Sequence, residues 1–130
     1  MVMEQLAVEI VGLCREYGEC RVEVERMEEA RRVKNALESV CAMARQRLDI
    51  SDPALLLALL DACEVTRDEG MLQEVLDVVG RNLDRLAVSA ESVKLLACCY
   101  YYVEEEECVE RAGRMLEELR NCLLYKSPSP

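Results

Sequence analysis

The chain has 130 residues, of which 52% are apolar, and it carries a formal net charge of −10 at pH 7. A chain of this length forms one domain with a sizeable core, and so acidic a composition argues against binding to nucleic-acid phosphates or an anionic membrane. Phe and Trp are absent. Leu, Val, Ala, Met and Cys supply the apolar side chains instead, and because such residues favour helices over strands, we predict an all-α protein.

The first predicted hairpin occupies residues 2–48. Apolar residues at spacings of three and four predict a helix from Val2 to Tyr17, and Gly18 would end it as a C′ glycine. A second helix is predicted from Val22 to Leu48, since glutamates near its start and arginines near its end complement the helix dipole. Its apolar stripe consists of Met27, Ala30, Val33, Leu37, Val40, Cys41, Ala44 and Leu48.

The most apolar segment of the chain is Pro53–Val65, which reads PALLLALLDACEV. Only Asp61 and Glu64 interrupt it, and because they are three residues apart they share one narrow helical strip with Ala54 and Leu57. Neighbouring helices must cover the other sides. The segment is shorter than the roughly 20 residues that span a bilayer. We therefore predict that it forms the centre of a helical domain.

The start of this central helix recurs later in the chain. Ser51 or Asp52 can cap it, and Ile50 with Leu55 would form a hydrophobic staple. The same order of residue types returns 38 residues later at Val88–Val93 and opens a second apolar helix. The remaining predicted helices cover residues 71–87, 90–103 and 108–124, and Glu104–Glu107 forms either the turn between the last two or part of one continuous helix.

Two units of similar pattern follow from this recurrence, residues 50–87 and 88–124. In each, an apolar helix precedes an amphipathic one. Leu72, Val75, Leu76, Val79 and Leu83 match Ala112, Met115, Leu116, Leu119 and Leu123 at an interval of 40. Residues 2–48 would add an irregular first hairpin, and residues 125–130 a disordered tail. We predict six helices in three antiparallel hairpins, arranged as an α-solenoid-like repeat or as an irregular helical bundle. A mid-helix glycine, Gly80, further predicts the close approach of another backbone.

In period and pattern, residues 50–124 resemble the helical-hairpin repeat families, which include the tetratricopeptide, armadillo/HEAT and 38-residue octotricopeptide classes. The resemblance implies a scaffold that binds peptides or helices. For the octotricopeptide class it implies RNA binding, as in organellar helical-repeat proteins.

The eight cysteines do not have the spacing of a zinc site, because histidine is absent and there is no C-x-x-C pair. Residues 1–18 also lack the pattern of a signal peptide. We therefore expect buried free thiols in a reducing intracellular compartment, the cytoplasm or the nucleus, and no secretion. No metal or cofactor is expected.

The sequence contains no catalytic motif. Without histidine, the usual serine and cysteine triads cannot form, and no phosphate-binding or dinucleotide-binding glycine motif is present. We predict a non-enzymatic protein-interaction or scaffold module that binds a partner helix or peptide, or that self-associates. The alternatives are an RNA-associated repeat protein and a small enzyme or metal-binding protein that uses carboxylates and thiols. The candidate protein-binding residues are Leu57, Asp61, Glu64, Lys94, Tyr101 and Tyr102.

Overall fold

A computed structural model describes residues 3–126 of the chain. The all-α prediction is confirmed, since the described residues form six α-helices and no strand. The helices are α1 (Met3–Cys20), α2 (Met27–Arg45), α3 (Pro53–Thr66), α4 (Glu69–Arg81), α5 (Ala90–Val103) and α6 (Glu106–Lys126). Single turns of 3-10 helix cover Val24–Arg26 and Leu83–Arg85.

The six helices form three consecutive pairs that stack on one another. Within each pair the second helix packs against the first, α2 on α1, α4 on α3 and α6 on α5. The first helices also pack in a row, because α3 contacts α1 on one side and α5 on the other. As predicted, α3 is the centre of the core. Its buried residues are Leu55, Leu56, Ala58, Leu59, Leu60, Ala62 and Cys63.

The two apolar helices, α3 and α5, share the same local construction. Each has 14 residues, and a side chain caps each N-terminus. Asp52 accepts a hydrogen bond from the backbone N–H of Leu55 at 3.1 Å, and Ser89 accepts one from Ser92 at 3.1 Å. Each cap satisfies an amide that the helix itself leaves unpaired.

The bounds of these hairpins repeat at an interval of 37 residues. Pro53 and Ala90 begin α3 and α5, and Glu69 and Glu106 begin α4 and α6. The predicted interval of 38 is one residue too long because Asp52, rather than Ser51, caps α3. The predicted interval of 40 matched apolar residues of the second helices, whereas the starts of those helices are 37 residues apart. With the caps aligned, no extra loop residues are needed in the second hairpin.

A left-handed residue ends both apolar helices. Arg67 follows α3 with φ 56°, and Glu104 follows α5 with φ 52°. In each case the backbone N–H of this residue donates to a carbonyl four residues earlier, which closes the last turn. Glu104 and Glu105 therefore separate α5 from α6, so a turn interrupts the helix, although it is shorter than the predicted Glu104–Glu107.

Several predicted boundaries were wrong. The first helix continues through Gly18 to Cys20, whose side chain is buried, and the second begins only at Met27, which is 60% exposed. The fourth ends at Arg81 instead of Ala87. A Cβ on Gly80 would meet nothing within 4 Å, so no backbone approaches it.

Two of the residues predicted to face inward on α6, Leu116 and Leu123, are exposed. The helix runs to Lys126, which makes the first two residues of the predicted tail helical. Val2 and the rest of that tail, residues 127–130, lie outside the described residues.

A charged cluster ties α2 to the second hairpin. The guanidinium of Arg45 donates to Asp68 Oδ2 at 3.0 Å and binds both carboxylate oxygens of Glu74, at 2.5 and 3.2 Å. Asp68 also caps α4 by accepting from the N–H of Met71 at 3.0 Å. The cluster therefore fixes the start of α4 against the end of α2.

Candidate functional site

An apolar groove of about 410 Å³ lies between α1 and α3 and reaches the first turn of α5. Small and branched apolar side chains form most of its surface, and three charged residues stand at its rim. The lining consists of Ala7, Val8, Val11, Gly12 and Arg15 from α1, Ala54, Leu57, Ala58 and Asp61 from α3, and Glu91 from α5.

The groove exists because α3 leaves one strip uncovered. The strip is the predicted one: Ala54, Asp61 and Glu64 are exposed and Leu57 is half-buried. Helix α1 adds two valines beside it, Val8 at 75% exposure and Val11 at 40%. Apolar side chains from two helices are thus open to solvent along one continuous depression.

Asp61 is the charged residue most affected by this setting. Burial, and then the nearby carboxylate of Glu64, raise the pKa of Asp61 above its ordinary value. Among the described residues, no Lys or Arg forms an ion pair with Asp61. Its negative charge is therefore uncompensated at the edge of an apolar surface.

The Asp61 carboxylate also acts on thiols of the two flanking helices. Burial, with a smaller contribution from Asp61, raises the pKa of Cys14 on α1 to about 11. The same two causes raise the pKa of Cys98 on α5. Asp61 is thus close to both neighbours of α3. These thiols stay protonated at neutral pH, which makes them poor nucleophiles and metal ligands.

A smaller cavity of about 280 Å³ lies toward the C-terminal end of α3, lined by Glu64 and Tyr102 among other residues. The hydroxyl of Tyr102 donates to Glu64 Oε1 at 2.5 Å. The ring of Tyr101 packs edge-on against that of Tyr102, with centroids 5.2 Å apart, and is itself 75% exposed. Of these two tyrosines, the outward-facing one is therefore Tyr101.

The six residues predicted from the sequence fall into three groups. Leu57 and Asp61 line the groove, whereas Glu64, farther along α3, and Tyr102 of α5 line the smaller cavity and are hydrogen-bonded to each other. Lys94 and Tyr101 are exposed on α5 and line neither cavity. The prediction missed the contribution of α1. Val8 and Val11 lie on the otherwise polar side of α1, opposite the residues predicted to face the core. Two apolar residues on that side were the feature of the sequence from which the contribution of α1 could have been predicted.

Among the described residues, no group of three or more Cys, Asp or Glu side chains is placed to hold a metal ion. No helix within residues 3–126 is both long enough and apolar enough to cross a membrane. All eight cysteines are free; Cys122 is exposed, Cys14 and Cys98 are partly buried, and the other five are buried.

Comparison with known proteins finds no matching family model, no similar curated protein and no similar solved structure.

Proposed function

We propose that this protein is a non-enzymatic interaction module and that the groove between α1 and α3 binds an amphipathic helix or peptide of a partner protein. The observation that carries the proposal is the combination of exposed apolar side chains on two adjacent helices with an uncompensated carboxylate, Asp61, at their edge. Grooves between helices commonly accept the apolar face of a partner helix, which inserts side chains at one-turn spacing.

The apolar part of the groove supplies the affinity. Val8, Val11 and Leu57 all expose apolar surface, and covering such surface stabilises a complex by about 25 cal/mol per Å². Exposed apolar side chains that cluster in this way are typical of binding surfaces, whereas single exposed ones are ordinary.

The charges at the rim define the partner. Asp61 and Glu91 outnumber Arg15 in the groove, and the whole chain carries a net charge of −10. A Lys or Arg of the partner placed beside Asp61 would offset the repulsion from Glu64. We therefore expect the partner helix or peptide to contain at least one basic residue flanked by apolar ones. An acidic surface of this kind also accelerates encounter with a basic partner.

An α-solenoid-like arrangement fits this function. The interval of 37 residues between the two later hairpins supports an internal repeat, and stacked hairpins commonly present a binding surface on one side. The free thiols support a reducing compartment.

A peptide-display selection against the purified protein tests the proposal. We expect enriched peptides that combine apolar residues with Lys or Arg. Leu57→Glu should weaken their binding at least about tenfold, because it places a charge on the groove surface. Leu57 is only half-buried, so the variant keeps its fold, which circular dichroism verifies.

Two aspartate variants of equal charge separate the groove from general electrostatics. Asp61→Asn should weaken the basic peptides severalfold, whereas Asp84→Asn, in the turn after α4, should leave their affinity unchanged. Peptides that bind wild type and Leu57→Glu equally would refute the groove as the binding site. If the two aspartate variants lose the same peptide affinity, Asp61 acts only through the net charge of the protein.

A further inference from the structure

Two carboxylates, Asp61 and Glu91, line the groove between α1 and α3. Both residues are exposed, and among the described residues neither forms an ion pair. Within residues 3–126, Arg15 of the same lining is paired with neither of them. Glu64, the next carboxylate of α3, accepts a hydrogen bond from Tyr102 and lines the smaller cavity instead. Two negative charges of the groove are therefore left for a bound partner to neutralise.

Contacts between α3 and α5 show that these two helices run parallel. Near their ends, the hydroxyl of Tyr102 donates to Glu64. One turn earlier, burial and then the carboxylate of Asp61 raise the pKa of the Cys98 thiol, so Asp61 and Cys98 are close. Both contacts join residues that are 37 or 38 apart, in agreement with the interval of 37 between the starts of the helices. A position on α5 is therefore level with the position on α3 that precedes it by 37 residues.

This packing sets the separation of the two carboxylates along the groove. Glu91 is level with Ala54, and both line the groove. Asp61 follows Ala54 by seven residues. Seven residues of helix are two turns, or about 10 Å. The backbone positions that carry the two carboxylates are therefore about 10 Å apart in the direction of the helix axes.

Apolar side chains lie between the levels of the two charges. Leu57 follows Ala54 by one turn and precedes Asp61 by one turn, which places it at the middle of the groove. On the α1 side, Val8 and Val11 add exposed apolar surface at a spacing of one turn. A partner that lies along α3 therefore meets a negative, an apolar and a second negative region in succession.

The walls of the groove favour a helical partner over an extended one. They are formed by side chains of α1, α3 and α5, and the backbone N–H and C=O groups of these helices are largely bonded within each helix. An extended peptide buried there would leave its own backbone groups without hydrogen-bond partners, which is costly. A helix bonds its backbone internally and can present side chains alone.

We propose that the partner of the groove is an amphipathic helix with two Lys or Arg residues seven positions apart and apolar residues at the third and fourth positions after the first of them. The inference rests on the proposed function and specifies its ligand. Residues seven apart share one face of a helix and are about 10 Å apart, so the two cations would reach Asp61 and Glu91 together. The apolar residues between them would cover Leu57. A crossing angle of about 20° would change the spacing by less than about 1 Å.

Three synthetic peptides of about 16 residues, with blocked ends and identical composition, test the spacing. The first has two Lys residues seven positions apart with Leu between them. In the second, the later Lys is moved two positions onward, which turns it by about 180° to the opposite face of the helix. In the third, the two Lys residues are three positions apart, the spacing with which an extended chain covers about 10 Å.

Isothermal titration calorimetry should show that the first peptide binds about threefold to tenfold more tightly than either of the others, since an exposed ion pair adds a modest amount to affinity. Glu91→Gln should remove most of this advantage, because one of the two ion pairs is lost. Glu107→Gln is the matched control and should preserve the advantage. Glu107 is the second residue of α6, as Glu91 is of α5, and it is also exposed and lies outside the groove.

The same titrations separate this inference from the proposed function. If the first two peptides bind equally and Leu57→Glu weakens both, the groove binds helices but the seven-residue spacing is wrong. Tightest binding of the third peptide, or an advantage that survives Glu91→Gln, would also overturn the spacing. If no peptide binds, or if Leu57→Glu leaves binding unchanged, the groove itself is refuted as the binding site.

Discussion

The hydroxyl of Tyr102 donates a hydrogen bond to Oε1 of Glu64 across 2.5 Å and thereby links α5 to α3. Tyr102→Phe removes this bond and leaves the ring in place, so we expect the free energy of unfolding to fall by about 1 kcal/mol. Urea denaturation at neutral pH measures the change. Tyr101→Phe is the control, because that ring is 75% exposed and should change stability by less than about 0.5 kcal/mol. Equal losses in the two variants would contradict a specific role for the bond.

Asp61 should lower stability when it is ionised. Burial and the Glu64 carboxylate raise its pKa in the folded state, so its favourable contribution is present at low pH and is lost as pH rises through that pKa. We expect Asp61→Asn to increase the free energy of unfolding at pH 7 by less than about 1 kcal/mol, since the side chain is only partly removed from solvent, which screens the effect.

The gain from Asp61→Asn should shrink as the pH is lowered, and Asp84→Asn should show no such trend. The substitution that weakens peptide binding would then be the one that stabilises the fold, as is common for functional residues. A gain that stays constant with pH would show that ionisation of Asp61 is not its cause.

The Arg45–Glu74 pair should stabilise the fold at neutral pH and lose this effect in acid. The hydrogen bond from Arg45, and then its charge, lower the pKa of Glu74 below 4.5, so the contribution is present above that value and is lost as pH falls. A double-mutant cycle with Arg45→Gln and Glu74→Gln should give a coupling of about 1 kcal/mol at pH 7, a modest value because both side chains are partly exposed.

The Arg81–Asp77 pair provides a matched comparison. Its atoms are 3.8 Å apart and the Arg81 side chain is 79% exposed, so the same cycle should give a coupling near zero. If the two cycles agree, the bidentate contact of Arg45 adds nothing to stability.

Alkaline conditions should unfold the protein through its buried thiols. Burial raises the pKa of Cys41, Cys63 and Cys99 from 9.0 to about 12. The stability that these protonated thiols contribute is complete below pH 9 and is lost as pH rises toward 12. The free energy of unfolding falls by up to about 1.4 kcal/mol per thiol for each pH unit. Urea denaturation at pH 8 and pH 10 under reducing conditions should detect the loss. Cys63→Ala should reduce it, whereas Cys122→Ser, at an exposed position, should not.

The sequence predicted the inner helices better than the hairpin ends. The strip of Leu57, Asp61 and Glu64 was predictable because a helix with so few polar residues can face solvent only along them. The end of the first helix was not, since Gly18 fits inside a helix whose following turn is held by the burial of Cys20. The low helix propensity of a glycine costs about 1 kcal/mol, and tertiary packing easily contributes more than that.

The groove itself required the fold. Val8 and Val11 belong to α1, and only the packing of α1 on α3 brings them beside Leu57. The exposed Leu116 on α6 has a similar explanation. Periodicity predicted that its side chain faces inward, but burial depends on whether a neighbouring helix is present, and periodicity carries no information about that.

The two left-handed residues, Arg67 and Glu104, mark where this protein falls short of its attainable stability. A residue with a Cβ pays about 1 kcal/mol to adopt that conformation, and glycine adopts it freely. Glycine in place of Arg67 or Glu104 would remove the backbone strain at that turn without altering any packed side chain. Selection removes only those sequences that are too unstable to function, so a protein can keep backbone strain of this kind without loss of function.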